Sequence, residues 1–430
     1  MNSLFVHPSL SEERQNAKRL DAADPLARFR TEFFQGSGIY LDGNSLGLLS
    51  RKAEKAVERV LRDWKELAIE GWLDAEQPWF FLAEKIGDMA APLVGAKASE
   101  LIASGTTTSN LHSLVSTLFP SDPKRTRIVS DSLNFSSDIY VLRDQLLLRG
   151  LDPETHLLRI PSEDGYLIDE DRIMAALDEK VALLVLSSVQ YRSGQLFDIK
   201  SITEKAHAVG ARVIWDASHS AGSVPHEFHK WGVDGAVFCG YKYLNGGPGS
   251  TGFLYIHEKH AALKPALSGW FGHRKDTQFQ LSHDFEMAAG AGRFQISTPH
   301  VLSLIPLEAS LALFAEADQH ELRRKSLAMT ELMMAMGDRY LASHGLRIVT
   351  PRRADQRGGH VAFAGPAAFA LAQALRHQGI VPDFRPPNIL RLAPTAFYNT
   401  YSDLVATISC ILHILEDGKL ERYQKPTDIP

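Results

Sequence analysis

Five consecutive apolar residues, Ala182-Leu183-Leu184-Val185-Leu186, constrain the fold of this chain more than any other stretch. A half-exposed strand alternates polar and apolar positions, and an uninterrupted run this short does not. It belongs to a strand covered on both faces, as in a parallel sheet flanked by helices. Similar short runs predict strands over 127–130, 181–187, 211–216, 235–239 and 252–256. A helix over 202–209 joins the second of these to the third and makes a βαβ unit. Upstream, Ala53, Val57, Val60, Leu61, Trp64, Leu67 and Ala68 form one apolar stripe and predict a helix over 51–70. Alternating strands and helices place the chain in the α/β class, with a mostly parallel central sheet between helices.

The last third changes character. Helical stretches over 301–317 and 321–343 lead to short strands over 346–350, 360–364 and 390–392, with helices over 367–377 and 401–416. This reads as a smaller α+β domain. At 430 residues the chain exceeds one ordinary core. The expected division is an N-terminal segment, 1–45, that joins the small domain; a large domain, 46–305; and the small C-terminal domain, 306–430. Arg323-Arg324-Lys325 is expected on a solvated helix face.

The formal charge of −5 argues against a nucleic-acid partner, which needs a basic surface. No run reaches the roughly 18 apolar residues of a membrane span. The N-terminal stretch is polar, without the apolar core of a signal peptide. Two cysteines, Cys239 and Cys410, cannot build a disulfide framework. The expected compartment is the reducing cytoplasm.

Chemistry concentrates at Gly240-Tyr241-Lys242-Tyr243-Leu244-Asn245-Gly246-Gly247. Lys242 follows the apolar run 236–239 and precedes a glycine-rich loop. A lysine at a strand end, shielded from water, suits a covalent link to a carbonyl cofactor. Asp216 ends the strand over 211–216, where open α/β sheets bind their ligands. An aspartate there can pair with a pyridine nitrogen, or cap the following turn. His219 lies three residues on. Gly105-Thr106-Thr107-Thr108-Ser109-Asn110 opens a helix and offers N–H groups and hydroxyls to a phosphate, or forms a plain N-cap. Phe135 is either a platform for a flat ring or a core residue. Arg391, on an apolar strand, calls for a carboxylate partner from a substrate or from the protein itself.

Three other patterns compete. Gly247-Pro248-Gly249-Ser250-Thr251-Gly252 has dinucleotide-loop spacing, but a strand is expected after it instead of a helix. Gly43-Asn44-Ser45-Leu46-Gly47 has the spacing of a serine nucleophile elbow and keeps a hydrolase reading open. His226 and His229 have helical spacing for a metal, yet no further ligands cluster with them, and no metal is expected.

The chain resembles the kynureninases, fold-type-I pyridoxal-phosphate (PLP) enzymes of the aminotransferase superfamily. The resemblance rests on Tyr40–Gly47, Thr107-Thr108 with Asn110-Leu111, Phe135–Asp138, Tyr191–Gly194, Asp216–Gly222, Trp231–Asp234, Tyr241–Gly247, Ser268-Gly269-Trp270-Phe271-Gly272-His273 and Arg391–Tyr398. It implies a cytoplasmic homodimer that hydrolyses the small molecule L-kynurenine to anthranilate and L-alanine, in tryptophan breakdown or NAD supply. It implies that Lys242 carries PLP and removes the α-proton, that Asp216 meets the pyridine nitrogen, and that Tyr241 moves a proton in the later steps. Phe135 would stack on the ring, with Ser136, Ser137, Asp138, Ser187 and His219 around the cofactor. Thr107, Thr108 and Tyr241 would lie near the phosphate, and Trp270 and Thr298 would reach the site from the partner subunit. Arg391 would take the α-carboxylate, with Trp72, Ser45 and Asn44 also on the substrate side. Trp72 and Thr298 stand where animal enzymes carry histidine and asparagine, and an apolar Trp72 favours a ring without a hydroxyl.

Overall fold

A computed structural model describes residues 5–418 and 420–423 of the chain. Residues 1–4, 419 and 424–430, which the expected N-terminal segment and small domain include, lie outside the described residues. The chain forms two compact units. One gathers the chain up to Arg51, Arg192–Leu196, and the chain from Glu316 onward; the other comprises Lys52–Tyr191 and Phe197–Ala315.

The second unit is built on a seven-stranded sheet. Its strands are β1 (Leu101–Ala103), β2 (Arg127–Asp131), β3 (Leu157–Ile160), β4 (Val181–Ser187), β5 (Arg212–Asp216), β6 (Gly235–Cys239) and β7 (Gly252–Ile256). They lie in the order β1-β7-β6-β5-β4-β2-β3. All seven residues of β4 are buried, as the unbroken apolar run requires. β3, β2, β4, β5 and β6 are mutually parallel, and β7 runs against both its neighbours. Ser187 pairs with Asp216, and Asp216 with Val237, so the carboxyl ends of β4, β5 and β6 stand side by side. The helix Ile199–Ala208 closes the β4–β5 crossover. β1 and β3 escape sequence reading because each is a short outer strand, β1 with only three apolar residues and β3 interrupted by Arg159.

The helix Arg51–Leu67 stops short of residue 70 because Ala68 takes a left-handed φ of 48°. The segment expected as one helix over 321–343 is a helix over Gln319–Met336 followed by a wider π turn, Gly337–Leu341. A side chain on Gly337 would meet the Phe363 ring at 2.6 Å, so the π turn lies directly on that ring.

The other unit contains a four-stranded antiparallel sheet of β8 (Arg347–Ile348), β9 (Val361–Ala364), β10 (Asp383–Arg385) and β11 (Ile389–Leu392), in the order β10-β11-β9-β8. Ile39–Tyr40 adds a two-residue parallel pairing with Ile380–Val381. Its core joins Met329 and Met333 of one helix, Leu371 and Leu375 of the next, and Ile408 and Ile411 of the last. The basic run 323–325 is not a solvated face. Lys325 is buried and pairs with Asp24 at 2.7 Å, and its amine also donates to Ala396 O at 2.7 Å. Arg323 donates to the carbonyls of Ala354, Arg357 and Gly358; Arg324 alone of the three is exposed. The helical period turns three adjacent cations in different directions, which a linear reading of charge overlooks.

Candidate active site

The carboxyl ends of β4, β5 and β6 carry Ser187, Asp216 and, just past Cys239, the Tyr241-Lys242 pair. Lys242 Nζ lies 3.0 Å from His219 Nε2, within hydrogen-bonding reach. It stands 5.9 Å from the ring centres of both Phe135 and Tyr241. Phe135 leaves 41% of its surface exposed, so a ring face is available. Tyr191 meets the edge of that ring at 5.4 Å and lies 6.3 Å from the His219 ring.

Asp216 is buried and accepts from the Ser218 N–H at 2.8 Å. Asp138, in the first turn of the helix Ser136–Leu147, lies against it. Burial, the charge of Asp216 and a hydrogen bond to Asp216 hold the Asp138 carboxyl well above the usual range. Asp138 therefore holds its proton to higher pH than an ordinary carboxyl does. Asp138 Oδ2 is buried and finds no hydrogen-bond partner among the described residues. Tyr241 is pushed up by Cys239 first, then by burial and by Asp216, so its phenol stays protonated.

The phosphate candidates sit at the start of the helix Thr107–Leu118. Thr106 is the N-cap. Its hydroxyl accepts from Ser109 N at 3.2 Å, and Ser109 Oγ accepts from Thr106 N at 2.9 Å. This reciprocal box fixes the first turn, whose N–H groups lack intrahelical acceptors and favour an anion. A Cβ on Gly252 would stand 2.9 Å from Thr107 N, so only glycine lets β7 approach that turn. Ser136 and Ser137 open the neighbouring helix, with Ser136 exposed. A flat platform, a buried carboxyl pair with an orphaned oxygen, an amine and a helix start together fit a phosphorylated pyridine aldehyde.

Asn134 escaped sequence reading. Its Oδ1 accepts from Ser187 Oγ at 2.8 Å and from the Phe135 N–H at 2.7 Å, and its Nδ2 donates to Ser130 Oγ at 3.0 Å. It thus fixes the backbone that carries Phe135. Nearby Asp131 accepts from Gln190 at 3.0 Å, and burial pushes its carboxyl up to about 7. An asparagine directly before Phe135 is the only sequence hint of the first arrangement.

Trp72 and Thr298 line a common cavity of about 390 Å³ with Trp64, Trp79 and His300. Trp72 also meets Trp79 edge-on at 5.8 Å and Phe271 at 6.2 Å. Trp270, next to Phe271, is 45% exposed.

In the other unit, Arg391 lies on β11, fully buried, opposite Asp383 on β10, and the two form an ion pair. Arg391 also donates to Ser45 Oγ at 3.2 Å, and Arg385 approaches the same oxygen at 3.5 Å. Asn44 is buried beside it in the chain. Ser45 faces two arginines and Asp42 instead of a histidine, which removes the nucleophile-elbow arrangement. Asp383 was invisible in the sequence because only strand register sets it against Arg391. The strand β7 begins at Gly252, so the Gly247–Gly252 pattern opens no helix. His226 hydrogen-bonds Ser220 at 2.8 Å and stacks on Phe228, whereas His229 pairs with buried Glu100 at 3.0 Å. The two histidines serve different partners. His257 also approaches Glu100, but its Nδ1 accepts the Lys259 N–H at 3.0 Å.

Comparison with known proteins agrees with this chemistry. A family model described as the kynureninase C-terminal domain matches residues 322–411. A kynureninase of Geobacillus thermodenitrificans is 46% identical over 430 residues, covering 100% of both chains. One from Shouchella clausii is 45% identical over 417 residues, covering 97% of each. Among solved structures, a cysteine desulfurase from Thermococcus onnurineus superposes with a TM-score of 0.78 at 19% identity, over 91% of this chain and 98% of that one. The cystine C–S lyase C-DES gives 0.74 at 19% identity, over 91% and 99%. The two structures share the fold.

Proposed function

The chain belongs to the kynureninase family, and from that membership we propose that Lys242 and the groups around it use PLP to cleave the Cβ–Cγ bond of L-kynurenine. The reaction consumes one water and yields anthranilate and L-alanine. The observation that carries the site assignment is the Lys242 amine 3.0 Å from His219, beside an exposed Phe135 face and the Asp216–Asp138 carboxyls. A solved C-DES structure, of the same fold, has glycine covalently linked to its PLP cofactor.

Bound PLP supplies an electron sink for charge left at the substrate carbons. Asp216 would meet the pyridine nitrogen, with the Asp138 carboxyl lying against it. Phe135 would stack against the ring on a backbone that Asn134 holds, and Ser136, Ser137, Ser187 and His219 would surround it. Thr107 and Thr108 would hold the phosphate at the helix start. The Lys242 amine takes the α-proton. Tyr241, protonated by its surroundings, donates a proton after cleavage. Arg391 takes the α-carboxylate, with Asn44 and Ser45 beside it, and Trp72 and Thr298 contact the aryl ring.

A homodimer in which Trp270 and Thr298 serve the partner's site is part of the same reading. It is supported by exposed apolar side chains on the larger unit: Trp64, Ile69, Leu73, Trp270, Phe279 and Leu302. Two domains corresponding to the two compact units, and a cytoplasmic location, complete it. No helix among the described residues is long and apolar enough to cross a membrane, and both cysteines are free thiols.

The test is spectroscopic and chemical. Purified protein with PLP should absorb in the visible and release fluorescent anthranilate from kynurenine. Lys242→Ala should lose the covalent chromophore and at least about a hundredfold of the turnover. A colourless wild-type protein, or an unchanged Lys242→Ala, overturns the assignment.

A further inference from the structure

The buried arginine of β11 is not met by a single counter-charge. Asp383 pairs with Arg391 across the strand register and reaches Arg385 at 2.9 Å. Asp42 lies on the other side of Ser45. The Ser45 hydroxyl donates to the Asp42 carboxyl and accepts from Arg391 at 3.2 Å and Arg385 at 3.5 Å. Asp42 Oδ1 is buried and has no hydrogen-bond partner among the described residues. With both aspartates ionised, two guanidinium groups face two carboxylates. Nothing in that balance is left over for a third carboxylate.

Taking Arg391 as the carboxylate subsite, we propose that Asp42 is its proton-accepting counter-charge: entry of a ligand carboxylate is coupled to movement of one proton from solvent onto Asp42 Oδ1. Asp383 is committed to Arg391 in an ion pair. Asp42 is linked to the arginines through the Ser45 hydroxyl and also feels both guanidinium charges. Protonation turns its orphaned oxygen into a neutral O–H and restores a net positive charge at Arg391 and Arg385. The groups that act on Asp42 are Asp383, Arg391, Arg385 and Ser45, and its own neighbour Tyr40, which Arg376 also faces. Burial first, then Asp383, pushes Asp42 up to about 6, against the pull of Ser45 and the two arginines. A bound carboxylate is a further like charge and pushes it higher. The sign follows. Below about pH 6 Asp42 is protonated in both states and affinity is flat. Above it, binding costs proton uptake, and affinity falls by up to about tenfold per pH unit until the ligand-bound value is reached.

The probe is 4-(2-aminophenyl)-4-oxobutanoate, kynurenine without its α-amine, which keeps the carboxylate and cannot displace Lys242. Its binding to the holoenzyme is followed by calorimetry in buffers of different ionisation enthalpy, between pH 6 and 8. The wild type should take up a substantial fraction of one proton per ligand near neutrality, with affinity falling as pH rises. Asp42→Asn should take up none, bind with nearly constant affinity across this range, and exceed the wild type at pH 8. Asp42→Glu should restore the uptake. If Asp42→Asn does not fold, Asp42→Ser serves as the neutral variant. Uptake of wild-type size in the neutral variant overturns the proposal while leaving Arg391 as the subsite. Unchanged affinity in Arg391→Gln overturns the subsite reading itself, and the proposal with it. A merely structural Asp42 would alter stability without altering the proton count.

Discussion

Tyr241 is crowded by Cys239, half-buried and close enough to Asp216 to feel its charge, and all of these favour the neutral phenol. It therefore stays protonated at physiological pH, as the proposed donor must. Tyr241→Phe should lower kcat by about 10²–10⁴-fold with the cofactor still bound, as for loss of a general acid. The pH profile of the wild type should carry no limb below about pH 10 that vanishes in this variant. Steady-state anthranilate fluorescence reads both. In the proposed site Trp72 is the residue set against the substrate ring. Its indole shares a cavity with Thr298 and packs against Trp79 and Phe271. The apolar indole face of Trp72 gives a ring hydroxyl on that side no compensation for lost water, so kcat/KM should favour kynurenine over 3-hydroxykynurenine. Steady-state rates on both substrates check this, and a ratio favouring the hydroxylated ring would refute it.

At the scale of elements, the site depends on a helix start and three adjacent strand ends. The Thr106–Ser109 box holds the first turn of Thr107–Leu118, and Gly252 lets β7 pass beneath it. Gly252→Ala places a methyl group 2.9 Å from Thr107 N, a contact that backbone must yield to. The fold should survive and PLP should be held roughly tenfold more weakly, about 1.4 kcal/mol, measured by dialysis against free PLP. Much of this was legible. The apolar runs located five of the seven strands, and the Gly-Thr-Ser cluster marked the helix start. The outer strands β1 and β3 were not legible, since neither carries an apolar run long enough to mark it. The basic run 323–325 was misread because charge was taken in linear order, whereas one turn of helix sends Lys325 inward to Asp24.

For the whole molecule, the larger unit exposes more large apolar side chains than a lone subunit needs. Ile69 is 77% exposed, Leu73 68% and Phe279 66%. Burying such side chains is worth about 1.5–3 kcal/mol each. Sedimentation should therefore show a dimer at micromolar concentration. Ile69→Asp with Leu73→Asp should shift it toward monomer and reduce activity, because Trp270 and Thr298 would no longer complete the partner's site. A wild type that sediments as a monomer would sink this reading.

The sequence by itself determined the fold class, the lysine and the residue types a PLP site requires, because those depend on local pattern: an apolar run, a strand end, a helix start. Only the tertiary structure decided which groups face one another. Asp138 lies against Asp216, Asn134 braces Ser187 and Phe135, and Asp383 meets Arg391 across strands, with Asp42 behind Ser45. Proton position and charge balance depend on distance and burial, and neither exists until strands pair in register and exclude water.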